Sequence, residues 1–155
     1  MARPGEPHAW GRVDGANAAM SQWRTQKSTA TFAGRSDYAF AELDRCLAES
    51  GRLRPRVLSF GCSQGFEPLD LKRLVAGAEI LGCDVNAKAL ADSAKRCEPE
   101  GIAIFESTPE ALASHSPYDA IAVMNVLTRY PESMDRPDIA DLYPFEEFER
   151  TVGAL

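Results

Sequence analysis

The stretch from Arg56 to Asp84 constrains this chain more than any other. Val57-Leu58-Ser59-Phe60 is short, apolar and suited to a strand, and Gly61-Cys62-Ser63-Gln64-Gly65 follows it at once. Pro68 to Ala76 has helical periodicity closed by Gly77, Glu79–Cys83 is a second strand, and Asp84 stands at its end. In a doubly wound α/β unit, the turn after the first strand and the acid after the second face the same crevice. That crevice takes an adenosine-type ligand, with the acid on the ribose hydroxyls.

The remaining chain extends the same alternation. Ser36 can cap a helix carrying Phe40, Leu43 and Leu47 until Gly51 ends it. Strand one spans Arg56–Phe60, and Asn86 caps a helix that runs to Cys97. Ile102–Phe105 is the third strand, and Thr108-Pro109-Glu110 opens a helix with a hydroxyl cap, a first-turn proline and an acid at the positive end. Ala120-Ile121-Ala122-Val123-Met124 is a continuous apolar run, which predicts a strand buried on both faces. Pro144 starts a last helix with Phe145, Phe148, Val152 and Leu155 on one side. Residues 1–35 show no sustained period beyond one short helix around Ala18–Lys27. They read as a flexible arm, with a lid over the crevice, carrying Trp10 and Trp23, as the other reading. Residues 36–155 form the domain. The fold class is α/β, a doubly wound parallel sheet with right-handed crossovers. Because no fifth strand follows, the fourth would be an exposed apolar edge. The expectation is a chain shortened after that strand, with a missing C-terminal segment or a partner covering the edge.

Charge and cysteines exclude other classes. With 155 residues and a net charge of -6, the chain lacks the basic surplus of a nucleic-acid binder. Residues 131–150 hold seven acidic and two basic side chains, and 1–35 hold five basic and two acidic, both read as solvated surface. No apolar run reaches the roughly 20 residues of a membrane span, and Met1–Gly15 has no secretory signal. Cys46, Cys62, Cys83 and Cys97 are too widely spaced for a zinc site or a disulfide framework, which points to no metal and to a reducing cytoplasm.

Four readings compete for the turn. A dinucleotide site wants G-x-G-x-x-G, but Ser63 stands at the middle glycine and no third glycine follows at the required offset. Gly61-x-Ser63-x-Gly65 matches a hydrolase nucleophile elbow, with Asp84 and His115 following in order. That fold needs more sheet than this chain holds. A plain strand-to-helix turn explains Gly61 but not Asp84 or Asn125 at neighbouring strand ends. A nucleoside without phosphates, bearing carboxylate and ammonium groups, explains all three, and the 23 residues from Gly61 to Asp84 match the distance to a ribose acid.

Val57 to Pro68, Leu81-Gly82-Cys83-Asp84-Val85-Asn86 and Tyr118 to Leu127 together resemble three motifs of the class I S-adenosylmethionine-dependent methyltransferases. The first and last are especially similar to the chemotaxis-receptor type. The resemblance covers residues 36–130 and implies a Rossmann-like fold, S-adenosyl-L-methionine as cofactor, and a small-molecule or protein methyl acceptor. It places Phe60, Gly61, Cys62, Ser63 and Gly65 at the methionine end. Asp84 falls on the ribose, Val85 on the adenine, Glu106 or Ser107 on the adenine amino group, and Asn125 beside the methyl group as the catalytic residue. Ser59 stands where the family often has an acid, so recognition of the methionine amine is weakened or rerouted. Met124 stands where chemotaxis enzymes have Arg, so their receptor-glutamate specificity does not carry over. Residue by residue, plainer roles remain open: a helix-capping acid for Asp84, an exposed loop carboxylate for Glu106, a polar strand terminus for Asn125, and a packing residue for Cys62. The alternative function is a non-catalytic or truncated module that holds the nucleoside, or a partner, without turnover.

Overall fold

The computed structural model describes residues 31–155; Trp10, Trp23 and the short helix expected at Ala18–Lys27 lie outside them. In chain order the elements are α1 (Asp37–Glu49), β1 (Arg56–Phe60), α2 (Phe66–Leu74), β2 (Glu79–Asp84), α3 (Ala87–Cys97), β3 (Ala103–Glu106), α4 (Pro109–His115), β4 (Ala120–Ala122) and α5 (Phe145–Gly153). The four strands form one parallel sheet in the order β3-β2-β1-β4.

Helices cover both faces, as a parallel sheet requires. Alternate residues of β1 serve the two layers. Val57 joins Phe40, Leu47, Leu71, Val75, Ile80, Cys97 and Ile102 under α1, α2 and α3. Leu58 and Phe60 join Leu81, Cys83 and Leu112 beneath α4. This is the α/β, Rossmann-like arrangement.

Local signals explain most boundaries. The Asn86 side chain accepts from the amides of Lys88 and Ala89, and Thr108 accepts from Ala111, so both predicted caps form. α2 begins two residues before Pro68 because Gly65, at φ +85°, reverses the chain into the helix early, and Val75 is already extended. Gly65 also fits a place closed to any side chain: an added Cβ would lie 2.7 Å from Cys97 Sγ and 3.0 Å from Ser93 Cα. Gly65→Ala is expected to cost about 2–4 kcal/mol, combining left-handed backbone strain with overpacking. Denaturant unfolding followed by circular dichroism measures this loss.

One expectation is corrected. The apolar run 120–124 yields only the three-residue β4, paired to β1 alone, and Ile121, Val123 and Met124 are half-buried rather than enclosed on both faces. Among the described residues β4 lies at the edge of the sheet, as expected. On α5, Phe145 is 67% exposed and Val152 48%, while Thr151 is buried and Leu155 packs partly against the Leu58 layer. The Gly34 amide donates to Asp70 Oδ2 at 2.6 Å, and Arg73 Nη2 reaches Asp37 Oδ1 at 2.7 Å, so residues 34–37 are fastened to α2.

Candidate functional site

The site is built where β1 and β2 end. Their register sets Phe60 opposite Cys83, so the chain turns at Gly61 beside Asp84. Gly61 adopts φ +75°, and an added Cβ would come within 2.5 Å of Val126 Cγ2. The turn therefore packs directly on the segment after β4.

Asp84 ties the two loops together. Its Oδ2 accepts from the Ser63 amide at 2.8 Å and its Oδ1 from the Asn86 amide at 2.9 Å. The carboxylate thus stands against the small-residue turn, as the sequence predicts, and also serves α3's entry, as its plainer role suggests. The amides of Gly61 and Cys62 both donate to the Cys83 carbonyl at 2.8 Å, and that of Gly65 to Cys62 at 3.0 Å. With those donors committed within the fold, the turn is not the anion cradle that a pyrophosphate needs.

The other predicted residues fall into three groups. Phe60 and Cys62 are buried at 2% and 1% exposure, so their side chains are core. Burial pushes the Cys62 thiol well up, which makes it a packing residue rather than a nucleophile. Val85 is half-buried at the start of the β2–α3 loop, and Glu106 lies exposed at the end of β3, paired in register with Asp84. Ser107 is 1% exposed, and its Oγ has no hydrogen-bond partner of normal geometry, with only the Cys83 thiol beside it. Asn125 is exposed after β4 in a left-handed conformation at φ +59°. The hydrolase triad does not form: Asp84 binds backbone amides, while His115 stacks on Phe105 at 4.1 Å and its Nδ1 bonds the Ala111 carbonyl.

Sequence reasoning missed Glu67. It lies in the first turn of α2 at 7% exposure, and its Oε1 accepts from Ser59 Oγ at 2.8 Å. Burial raises its carboxyl to about 7, against the opposing pull of the Ser59 hydrogen bond and Arg35. The available signal was an acid directly after the glycine turn, facing a serine in the place of the family's usual acid.

An open hollow of roughly 500 Å³ lies behind the turn, lined by Gln64, Asp92, Lys95 and Arg96. Arg96 is already engaged there, donating to the Gln64 carbonyl and lying 4.0 Å over the Phe66 ring. Among the described residues, no group of three or more His, Cys, Asp or Glu could hold a metal ion, and no helix is long and apolar enough to cross a membrane.

No protein-family model and no curated protein matches this sequence. Solved structures do match in fold. The bifunctional kinase-methyltransferase WbdD superposes with a TM-score of 0.58 at 20% identity, covering 83% of this chain and 27% of that one. Monomeric WbdD gives 0.59 at 20% identity, with 83% and 30% covered. The plantazolicin methyltransferase BamL, solved with a triazolic desmethylPZN analog and S-adenosylhomocysteine (SAH), gives 0.50 at 19% identity, with 78% and 41% covered. This chain therefore shares the fold of methyltransferases while spanning well under half the length of these neighbours. None of the three is a chemotaxis-receptor methyltransferase, so that closer likeness rests on the motif residues alone.

Proposed function

We propose that this chain is a class I S-adenosylmethionine-binding domain that takes part in methyl transfer to a small-molecule or protein acceptor. The observation that carries the reading is Asp84 bonded to the Ser63 amide, which joins the ribose acid and the glycine turn at one point. A carboxylate accepts about four hydrogen bonds, so contacts to backbone amides do not by themselves bar it from a ribose hydroxyl. The Ser107 amide donates to the Asp84 carbonyl at 2.9 Å, which brings the loop after β3 beside the end of β2.

The cofactor, when bound, supplies a methyl group already activated on a sulfonium. What remains for the protein is to bind, orient and exclude water. In this reading Asp84 fixes the ribose, Val85 covers one adenine face, and Glu106 or Ser107 meets its amino group. Gly61 and Ser63 let the chain approach closely. Asn125, past the end of β4, sits beside the reacting methyl. The net charge of -6 disfavours a nucleic-acid acceptor, and four free cysteines, with Cys46 exposed, fit a reducing cytoplasm.

A second reading keeps the binding and drops the turnover. Calorimetric titration with SAH, S-adenosylmethionine and NAD tests the shared premise. SAH and S-adenosylmethionine are expected to bind and NAD is not; preference for NAD would overturn it. Label transfer from methyl-labelled cofactor to a panel of acceptors then separates enzyme from binder.

A further inference from the structure

We propose that Arg129 anchors a carboxylate of the methyl acceptor, which makes that acceptor a small organic acid. The inference rests on the methyl-transfer reading above and adds a substrate class to it. Arg129 lies outside the three motifs and outside the residues assigned to the cofactor.

Its placement follows from the segment after β4. Val126 packs on the glycine turn, where an added Gly61 Cβ would meet it at 2.5 Å. Arg129 comes three residues later, at most about 11 Å along the chain. Both lie past the carboxyl end of a strand, where ligands of open α/β sheets bind. Arg129 is held left-handed at φ +50°, as Asn125 is at +59°. A glycine would suit that backbone better, so the turn alone gives no reason for an arginine.

The guanidinium is under-used where it stands. Its Nη2 lies 3.5 Å from Glu147 Oε2, longer than the roughly 2.7–2.9 Å of a closed charge-assisted bond. Its Nε, the other donor on that edge of the fork, is buried with no hydrogen-bond partner among the described residues. The half-buried side chain lies 5.6 Å over the Tyr143 ring, so an aromatic face holds it while that edge lacks a closed partner. Tyr143 is 5% exposed, and its hydroxyl also has no partner of normal geometry, with the Thr151 hydroxyl beside it. Buried donors without acceptors cost stability unless something supplies the acceptors. A carboxylate does so, since its two oxygens match the Nε and Nη2 edge side-on. Glu147 then keeps the place that the acceptor's acid takes over. As a latch between the loop and α5 alone, a pair this long and this exposed would contribute little.

Nuclear magnetic resonance of the ¹⁵N-labelled full chain, saturated with SAH, tests the claim through the Arg129 Nε–H signal, assigned by its absence in Arg129→Lys. Benzoate and benzamide are the probes, alike in shape and different in charge. Benzoate is expected to shift that signal saturably and benzamide to leave it in place. Arg129→Gln should weaken benzoate at least about tenfold, as loss of a hydrogen bond between charged groups implies, and Arg129→Lys should recover part of the loss. Glu147→Gln should tighten benzoate roughly two- to fivefold, because the competing acid is gone. Unfolding curves of the variants confirm that the fold persists. If benzoate leaves the Nε–H signal unmoved, or Glu147→Gln weakens its binding, Arg129 is a latch and the proposal fails. Inorganic phosphate binding there more tightly than benzoate would overturn the carboxylate class. A chain that binds SAH but not benzoate loses the acceptor class and keeps the cofactor site; one that binds neither loses both.

Discussion

Asp84→Ala is expected to weaken SAH binding by about 100-fold or more. A carboxylate that accepts two ribose hydroxyls makes two hydrogen bonds to a charged group, each worth about 1.5–3 kcal/mol, and both vanish in the variant. The substitution acts on the protein as well. Ser63 N and Asn86 N lose the oxygens they donate to at 2.8 and 2.9 Å, which loosens the turn and the entry to α3. A loss of about 1–2 kcal/mol in stability should accompany the binding defect. Asp84→Asn separates the two effects. Its remaining oxygen can serve one amide, so stability should largely recover while ribose recognition stays impaired. Calorimetry with SAH beside thermal unfolding reads both quantities. Unchanged affinity in Asp84→Ala would remove this residue from the site.

Glu67→Gln should stabilise the ligand-free protein, and only above mildly acidic pH. The Glu67 carboxyl is raised from 4.5 to about 7 chiefly by burial. A raised acid favours the protonated form in the folded state. Its contribution is therefore fully present below pH 4.5 and is lost as pH climbs through about 7. The difference corresponds to about 3 kcal/mol at most, and glutamine, neutral and of the same shape, keeps a partner for Ser59 Oγ. At pH 8 the variant's midpoint is expected roughly 5–10 °C above that of the unaltered chain, and at pH 4 the two should coincide. A pH-independent difference in midpoint would show that burial of the charge is not its source.

The parts of the fold that were legible in sequence were those fixed by near neighbours. β1 ends at Phe60 because a glycine turn follows, and α3 and α4 start where Asn86 and Thr108 can reach back to their own amides. The position of Asp84 opposite the turn followed from strand order, which right-handed crossovers leave little choice about. What stayed hidden was decided across the sheet. The run 120–124 showed its hydrophobicity but not that only three of its residues would pair with β1. The periodicity of α5 identified Phe145, Phe148 and Val152 as one side but not which way that side faces. Glu67 drew no reading of its own in sequence, because its enclosure against Ser59 comes from the packing of α2 on β1. Residues 34 and 35 joined the domain through Asp70 and Glu67, more than thirty positions away.

The glycine turn spends its own amides on its own framework, Gly61 and Cys62 on one carbonyl and Ser63 on one carboxylate. Its shape consequently does not wait for a visitor. Little disorder has to be frozen out when a nucleoside arrives, so affinities across a ligand series should track the chemistry of each added group rather than the effort of arranging the receptor. For this chain, trimming the ligand atom by atom becomes a direct ruler of individual contacts.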